Sequence, residues 1–184
     1  MSLQSTTWQT VGPYFRIGFE HLNNAQLAAP AAPGKHVTIE GRLLDGEGRP
    51  IPDAVIEIWQ ANADGEYSGA SGNNPDGFRG FGRIPTDTDG RFVFTTIKPG
   101  AVSGPDGKKQ SPHLAIRLMM RGLLKGLFTR MYFPEEDLTA DPVLQLVPER
   151  RRATLVARPS ADDNLTLNWN IEMQGERETV FFDC

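Results

Sequence analysis

Apolar and polar residues alternate with a period of two along most of the chain beyond residue 36. The clearest case is 165–173. There Leu165, Leu167, Trp169, Ile171 and Met173 fall on one side, and Thr166, Asn168, Asn170 and Glu172 on the other, as in a strand with one buried and one wet face. Val37, Ile39 and Gly41 begin the same pattern, Ile56 and Ile58 share a face, and so do Phe92 and Phe94. In 113–121, Leu114, Ile116, Leu118 and Met120 alternate with His113, Ala115, Arg117, Met119 and Arg121. Turn signals separate these runs: Asp45-Gly46, Asp64-Gly65, Gly72-Asn73, Asp76-Gly77, Asp87-Thr88-Asp89-Gly90 and Gly104-Pro105-Asp106-Gly107. Short alternating segments with frequent Gly and Pro predict an all-β fold, an antiparallel sandwich or barrel. Helical pieces are expected only near 15–27 and 142–147. The Gly12-Pro13 step sets an extended arm, and the Ala/Pro/Gly-rich 28–34 reads as a linker into the body.

With 184 residues the chain suits one domain, 1–184, with 1–34 as arm and linker. A net charge of -4 excludes the basic footprint of a nucleic-acid binder. Arg150-Arg151-Arg152 is the one dense positive cluster and reads as a solvated face or a donor of interface ion pairs. One cysteine, Cys184, rules out an internal disulfide framework. The start lacks the charged and apolar runs of a signal peptide, and no apolar run reaches membrane-spanning length, so a cytoplasmic location is expected.

Candidate chemistry is sparse. Glu57 to Tyr67 joins a short apolar strand to an Asp64-Gly65 turn and leaves a phenol two residues beyond the glycine, where it serves either to hold a ligand or simply to pack its ring. A His-x-His pair at 113 and 115 would turn two imidazoles toward one metal, but the second position is Ala115, and His21 and His36 lie far off. No nucleophile elbow, phosphate loop or zinc cysteine pair is present. Asp87-x-Asp89-Gly90 lacks the rest of a calcium loop and reads as a hairpin turn, while Glu135-Glu136-Asp137 after Pro134 reads as the first turn of a helix.

Read together, Gly41, Glu57-Ile58 and Gly65-x-Tyr67 resemble the signature of the intradiol ring-cleavage dioxygenase family. Gly80-Phe81-Gly82-Arg83, Thr86-Asp87-x-x-Gly90, Phe92-x-Phe94-x-Thr96-Ile97-Lys98-Pro99-Gly100 and Thr129-Arg130-x-Tyr132-Phe133 follow in the family's order. The likeness runs from Thr10-x-Gly12-Pro13 to Glu178-Thr179-Val180-Phe181-Phe182-Asp183. It implies a β-sandwich with an irregular amino-terminal arm and one or two short helices.

Catalytic chains of the family hold a non-haem ferric iron with two tyrosines and two histidines. Tyr67 and His113 match one of each; Ala101-Val102 and Ala115 stand at the other two positions, and Gln110 replaces an arginine three residues before the first histidine. Two donors do not compete with hydrolysis for a hard ferric ion. The expectation is therefore no iron on this chain, with Tyr67 and His113 as vestigial positions that bond each other or line a closed cavity.

The resemblance is to chains that work as the alpha half of an alpha/beta pair. It implies Fe(III) on a beta-type partner, association of such pairs into a higher oligomer, and protocatechuate and dioxygen as substrates. Thr10, Gly12, Pro13 and Arg121 are the expected contributors to the pocket over the partner's iron, with no bond-making residue on this chain. Two rival classes stay open: a self-sufficient dioxygenase with unconventional ligands, marked by the colour of a ferric tyrosinate, and a non-enzymatic β-sandwich binding module.

Overall fold

A computed structural model describes residues 6–67, 77–104, 106–161, 163 and 165–183. The Gly72-Asn73 turn, Asp76, Pro105, Cys184 and residues 1–5 lie outside the described residues. The strands are β1 (His36–Leu44), β2 (Val55–Trp59), β3 (Phe81–Pro85), β4 (Arg91–Ile97), β5 (Val102–Ser103), β6 (Lys109–Gln110), β7 (His113–Met119), β8 (Leu127–Tyr132), β9 (Arg158–Pro159), β10 (Thr166–Asn168) and β11 (Ile171–Glu172). One sheet pairs β1 with β4 on one edge and with β10 and then β11 on the other, with β9 beyond β10; the second runs β3-β2-β7-β8. The inward residues of both sheets, among them Val37, Ile39, Phe92, Phe94, Leu167 and Trp169 against Ile56, Ile58, Ile84, Leu114, Ile116 and Leu118, form one buried cluster. The predicted alternation thus becomes the two facing layers of a sandwich.

Pairing is antiparallel throughout the second sheet, but β1 runs parallel to β10 and β11. The 165–173 strand is interrupted at Trp169-Asn170 without losing register, since Thr38 faces Thr166 and Leu43 faces Ile171. Asn170 Oδ1 accepts from the Arg42 backbone N–H at 2.9 Å and replaces the missing ladder bond. Gly41 is required opposite this break, because a Cβ there would lie 1.8 Å from the Trp169 carbonyl oxygen.

Four readings of local structure change. The 15–27 segment is no single helix. It forms a short turn α1 (Tyr14–Ile17), a 3₁₀ turn at Glu20–Leu22 and then extended chain bridged at Asn24, Gln26 and Ala28. The cause is Arg83, whose guanidinium takes the Phe15 and Phe19 carbonyls and Asn23 Oδ1, acceptors or neighbours a continuing helix would use itself. Glu135 and Glu136 sit in a turn and not in a helix, held by ion pairs to Lys98, with Lys35 also on Glu135. The Asp87–Gly90 turn is present, with Asp87 Oδ1 accepting from Asp89 and Arg91, but it carries the chain from one sheet to the other and is not a hairpin. The linker 28–34 also packs: Ala28 and Ala32 are buried with Phe78 and Ile97.

The 142–147 helix appears as a 3₁₀ turn, Leu144–Leu146, started by buried Asp141. Its Oδ1 accepts from the Val143 and Leu144 amides and the Tyr132 hydroxyl, and its Oδ2 from the Ser111 amide. A helix α2 (Glu149–Arg152) follows. Arg151 donates to the Glu178 carbonyl, and Arg152 to the Val147 carbonyl, so two of the three arginines are structural tethers. No helix among the described residues is long and apolar enough to cross a membrane.

Candidate functional site

Two places collect the residues singled out by sequence, and they lie at opposite ends of β7. At its start, His113 is only 5% exposed. Its Nδ1 lies 2.8 Å from the Ser111 carbonyl oxygen, and its ring packs against that of Tyr132, with centroids 5.8 Å apart. Tyr67 stands at the rim, 46% exposed, after the Asp64-Gly65 turn. That turn is set by Asn62, whose Oδ1 accepts from the Asp64 and Glu66 amides, and by Gly65 in a left-handed conformation pressed against the Ala101 carbonyl. Val102 is buried on β5, and Ala115 follows His113 on the same face of β7. The positions that match the family's ligands thus carry one phenol, one imidazole and aliphatic side chains in place of the other two donors.

Arg130 completes this place. It is directly opposite Ala115 across the β7-β8 ladder, two pairs along from His113 opposite Tyr132, so all four side chains share a face. Its Nη1 donates to Gln110 Oε1 at 2.8 Å. Burial pushes the His113 imidazole down to about 4, and the Arg130 charge pushes the same way. Burial raises the Tyr67 phenol, against the pull of Arg130.

A neutral His113 sets an acid-side expectation. Its folded value lies below the 6.5 of the free side chain, so the unfolded chain takes up a proton first as pH falls. Stability is present above about pH 6.5, declines toward pH 4 and is flat below, by about 3 kcal/mol at most. Burial drives this shift, with the Arg130 charge behind it, while the Ser111 carbonyl and Asp141 oppose it. Denaturant melts of His113→Asn against the parent chain between pH 7 and 4 are expected to show a shallower decline in the variant.

At the far end of β7 the amino-terminal arm forms a groove of about 260 Å³, lined by Val11, Gly12, Pro13, Phe15, Arg16, Ile17, Asp53 and Arg121. The Gly122 amide donates to Thr10 Oγ1 at 2.8 Å, which ties the arm to the turn after β7. Thr10, Gly12, Pro13 and Arg121 are thus brought together, although 111 residues separate the first from the last. Pro13 opens α1, with its carbonyl accepting from the Arg16 and Ile17 amides. Asp53 holds a left-handed backbone at φ 65° and places its carboxylate between two guanidinium groups. Arg16 Nη1 lies 2.6 Å from Oδ1 and Arg121 Nη2 4.0 Å from Oδ2, so Arg16 takes the carboxylate and Arg121, with a side chain 75% exposed, keeps most of its charge free. Seven strand residues put roughly 20 Å between His113 and Met119, and Arg121 lies beyond them.

Sequence reading did not single out Arg16, Asp53 or Asp141, and it passed over Arg83 and Arg130 within longer motifs. A lone charged residue has no spacing signal. What marks these five is where the fold carries them.

A family model described as Dioxygenase matches residues 11–175. The chain is 40% identical to the protocatechuate 3,4-dioxygenase alpha chain of Burkholderia cepacia, covering 99% of this chain and 98% of that one. It belongs to the intradiol dioxygenase family. The alpha chain of the Pseudomonas putida protocatechuate enzyme is 39% identical over 98% of this chain and 97% of its own length. The beta chain of the Burkholderia cepacia enzyme is 37% identical over 70% of this chain and 58% of its own. Among solved structures, the dioxygenase domain of a carbohydrate-binding fusion from Streptomyces sp. SirexAA-E superposes with a TM-score of 0.63 at 21% identity, covering 86% of this chain and 89% of that one, and so shares the fold.

Intradiol dioxygenases depend on iron, and the residues present here do not fit that ion. Among the described residues no group of three His, Cys, Asp or Glu side chains gathers to hold a metal. The one phenol and one imidazole supply too little charge for Fe(III), and a guanidinium stands beside them.

Proposed function

We propose that this chain is the alpha subunit of a protocatechuate 3,4-dioxygenase, and that it completes the substrate pocket over a ferric ion held by a beta-type partner. The reaction inserts both atoms of dioxygen between the two hydroxyl-bearing ring carbons and gives 3-carboxy-cis,cis-muconate. One observation carries this reading: the Thr10–Arg121 groove and the buried His113 are separated by the whole length of β7. A groove that far from the chain's own metal-site positions has nothing to serve within this molecule, and it faces outward.

Within that reading each residue has a physical task. Gly12 and Pro13 let backbone approach a flat aromatic ring closely. Arg121 offers the substrate carboxylate a guanidinium donor pair, directly or through water. Thr10 fixes the arm by its bond to Gly122. Orientation and exclusion of water are the whole contribution of this chain, and the ring-cleaving chemistry belongs to the partner's site. The arm 1–34 contributes to the partner interface, the alpha/beta pairs associate further, and the assembly works in the cytoplasm.

Gly12 tests this directly, since a Cβ there meets nothing within 4 Å in the chain by itself. Gly12→Leu is expected to leave the melting temperature of the chain unchanged and to lower turnover of protocatechuate by the assembled pair tenfold or more. Turnover equal to that of the parent pair would remove the arm from the pocket.

A further inference from the structure

A second groove, of about 430 Å³, opens where α2 meets β9 and β10, and it shares no lining residue with the groove around Arg121. Three arginines line it: Arg150 from α2, Arg158 from β9 and Arg177 from the turn after β11. Arg177 holds Glu172 at 3.3 Å. Arg150 and Arg158 are exposed and make no ion pair and no side-chain hydrogen bond among the described residues. Arg158 stands directly opposite Asn168 in the β9-β10 pair, so the two side chains share the face that lines the groove. Asn170 uses its Oδ1 on the Arg42 amide, and its amino group has no partner among the described residues. The two hydroxyls are already engaged, Thr154 with the Arg151 carbonyl and Thr179 with the Glu172 amide. Two unpaired guanidinium groups therefore face one unpaired carboxylate, Glu176.

We propose that this groove is a binding site for a small polycarboxylate, with Arg150 and Arg158 each taking a carboxylate of the ligand. A guanidinium presents two parallel N–H donors that match a carboxylate, and the two free ones stand on different elements, so a ligand with anionic groups at separate ends satisfies both. The volume falls in the range of small-molecule sites, roughly 300 to 1,000 Å³, and leaves room for a carbon skeleton that a single oxyanion would not fill. Ala153, Val156 and Trp169 supply apolar lining for that skeleton. Trp169 is fixed there by its Nε1, which donates to the Thr154 carbonyl at 3.0 Å. The sequence marked Arg150-Arg151-Arg152 as one positive cluster; Arg151 and Arg152 tether the backbone, which leaves Arg150 for the ligand. The inference does not depend on the alpha-subunit reading.

The test is calorimetric titration of the full chain with citrate, a tricarboxylate, at low salt. One site is expected, weakened about tenfold or more in Arg150→Gln and in Arg158→Gln, the loss that follows from one charge-assisted hydrogen bond. Both side chains are exposed, so the melting temperatures of these variants are expected to match that of the parent. Arg121→Ala is expected to bind citrate as the parent does, since Arg121 belongs to the other groove. Acetate and inorganic phosphate are expected to bind roughly tenfold more weakly than citrate or less tightly still, because neither spans two guanidinium groups. No citrate binding by the parent chain, equal affinity in the Arg150 and Arg158 variants, loss of binding in Arg121→Ala, or phosphate held as tightly as citrate would each overturn the proposal.

Discussion

Arg121→Ala in the assembled pair is expected to lower kcat/KM for protocatechuate by tenfold to a hundredfold and to leave catechol nearly unchanged. Protocatechuate carries a carboxylate and catechol does not, so the ratio isolates the interaction made by the guanidinium. The range follows from the 1.5 to 3 kcal/mol typical of a charge-assisted hydrogen bond, with the low end for a contact through water. Within the free chain the Arg121 side chain is mostly exposed and its ion pair with Asp53 is long, at 4.0 Å, so the substitution removes little that holds the fold. Steady-state kinetics on the two substrates check it. Equal losses on both would make Arg121 a structural residue. Asp53 sharpens the test: Arg16→Gln frees its carboxylate to capture Arg121, and protocatechuate use is expected to fall in that variant too and to recover when Asp53→Asn is added.

Arg83→Ala is expected to have the largest effect of any substitution in the amino-terminal half. The side chain is buried, stacks its guanidinium 5.0 Å from the centre of the Phe15 ring and donates to the Phe15 and Phe19 carbonyls and to Asn23. Truncation leaves three acceptors without their donor, at a cost of about 3 to 5 kcal/mol. The loss falls on the arm, because every one of those acceptors belongs to it, while the pairing of β2 with β3 is unaffected. Protease sensitivity near residues 8–23 is expected to rise sharply, and pair activity to drop with it. A variant with a protected arm and normal activity would show that other contacts suffice to seat it.

Much of the sandwich is legible in the sequence because strand alternation is local: Val37, Ile39, Phe92, Phe94, Leu114, Ile116, Leu118, Leu167, Trp169 and Ile171 all reach the core as read. What the pattern does not carry is partner choice between strands. Nothing in 165–173 distinguishes parallel pairing with β1 from antiparallel pairing, since both bury the same face. The 15–27 helix failed for a related reason: its apolar spacing is helical, but a buried arginine 64 and 68 residues away competes for the carbonyls. The site divides in the same manner. Tyr67, His113 and the two aliphatic replacements were readable against a family pattern, and so were Thr10, Gly12, Pro13 and Arg121. Their distribution over the two ends of β7 was not, and that separation carries the functional argument.

The central claim is that this chain acts only on a partner's metal. Each chain purified separately and then mixed in equal amounts gives the most direct measure of it, with iron content and protocatechuate turnover followed together. The predicted result is negligible iron and turnover for this chain alone, iron with weak turnover for the beta-type chain alone, and full turnover on mixing without a change in total iron. One equivalent of iron on this chain, or a beta-type chain fully active by itself, would contradict the account.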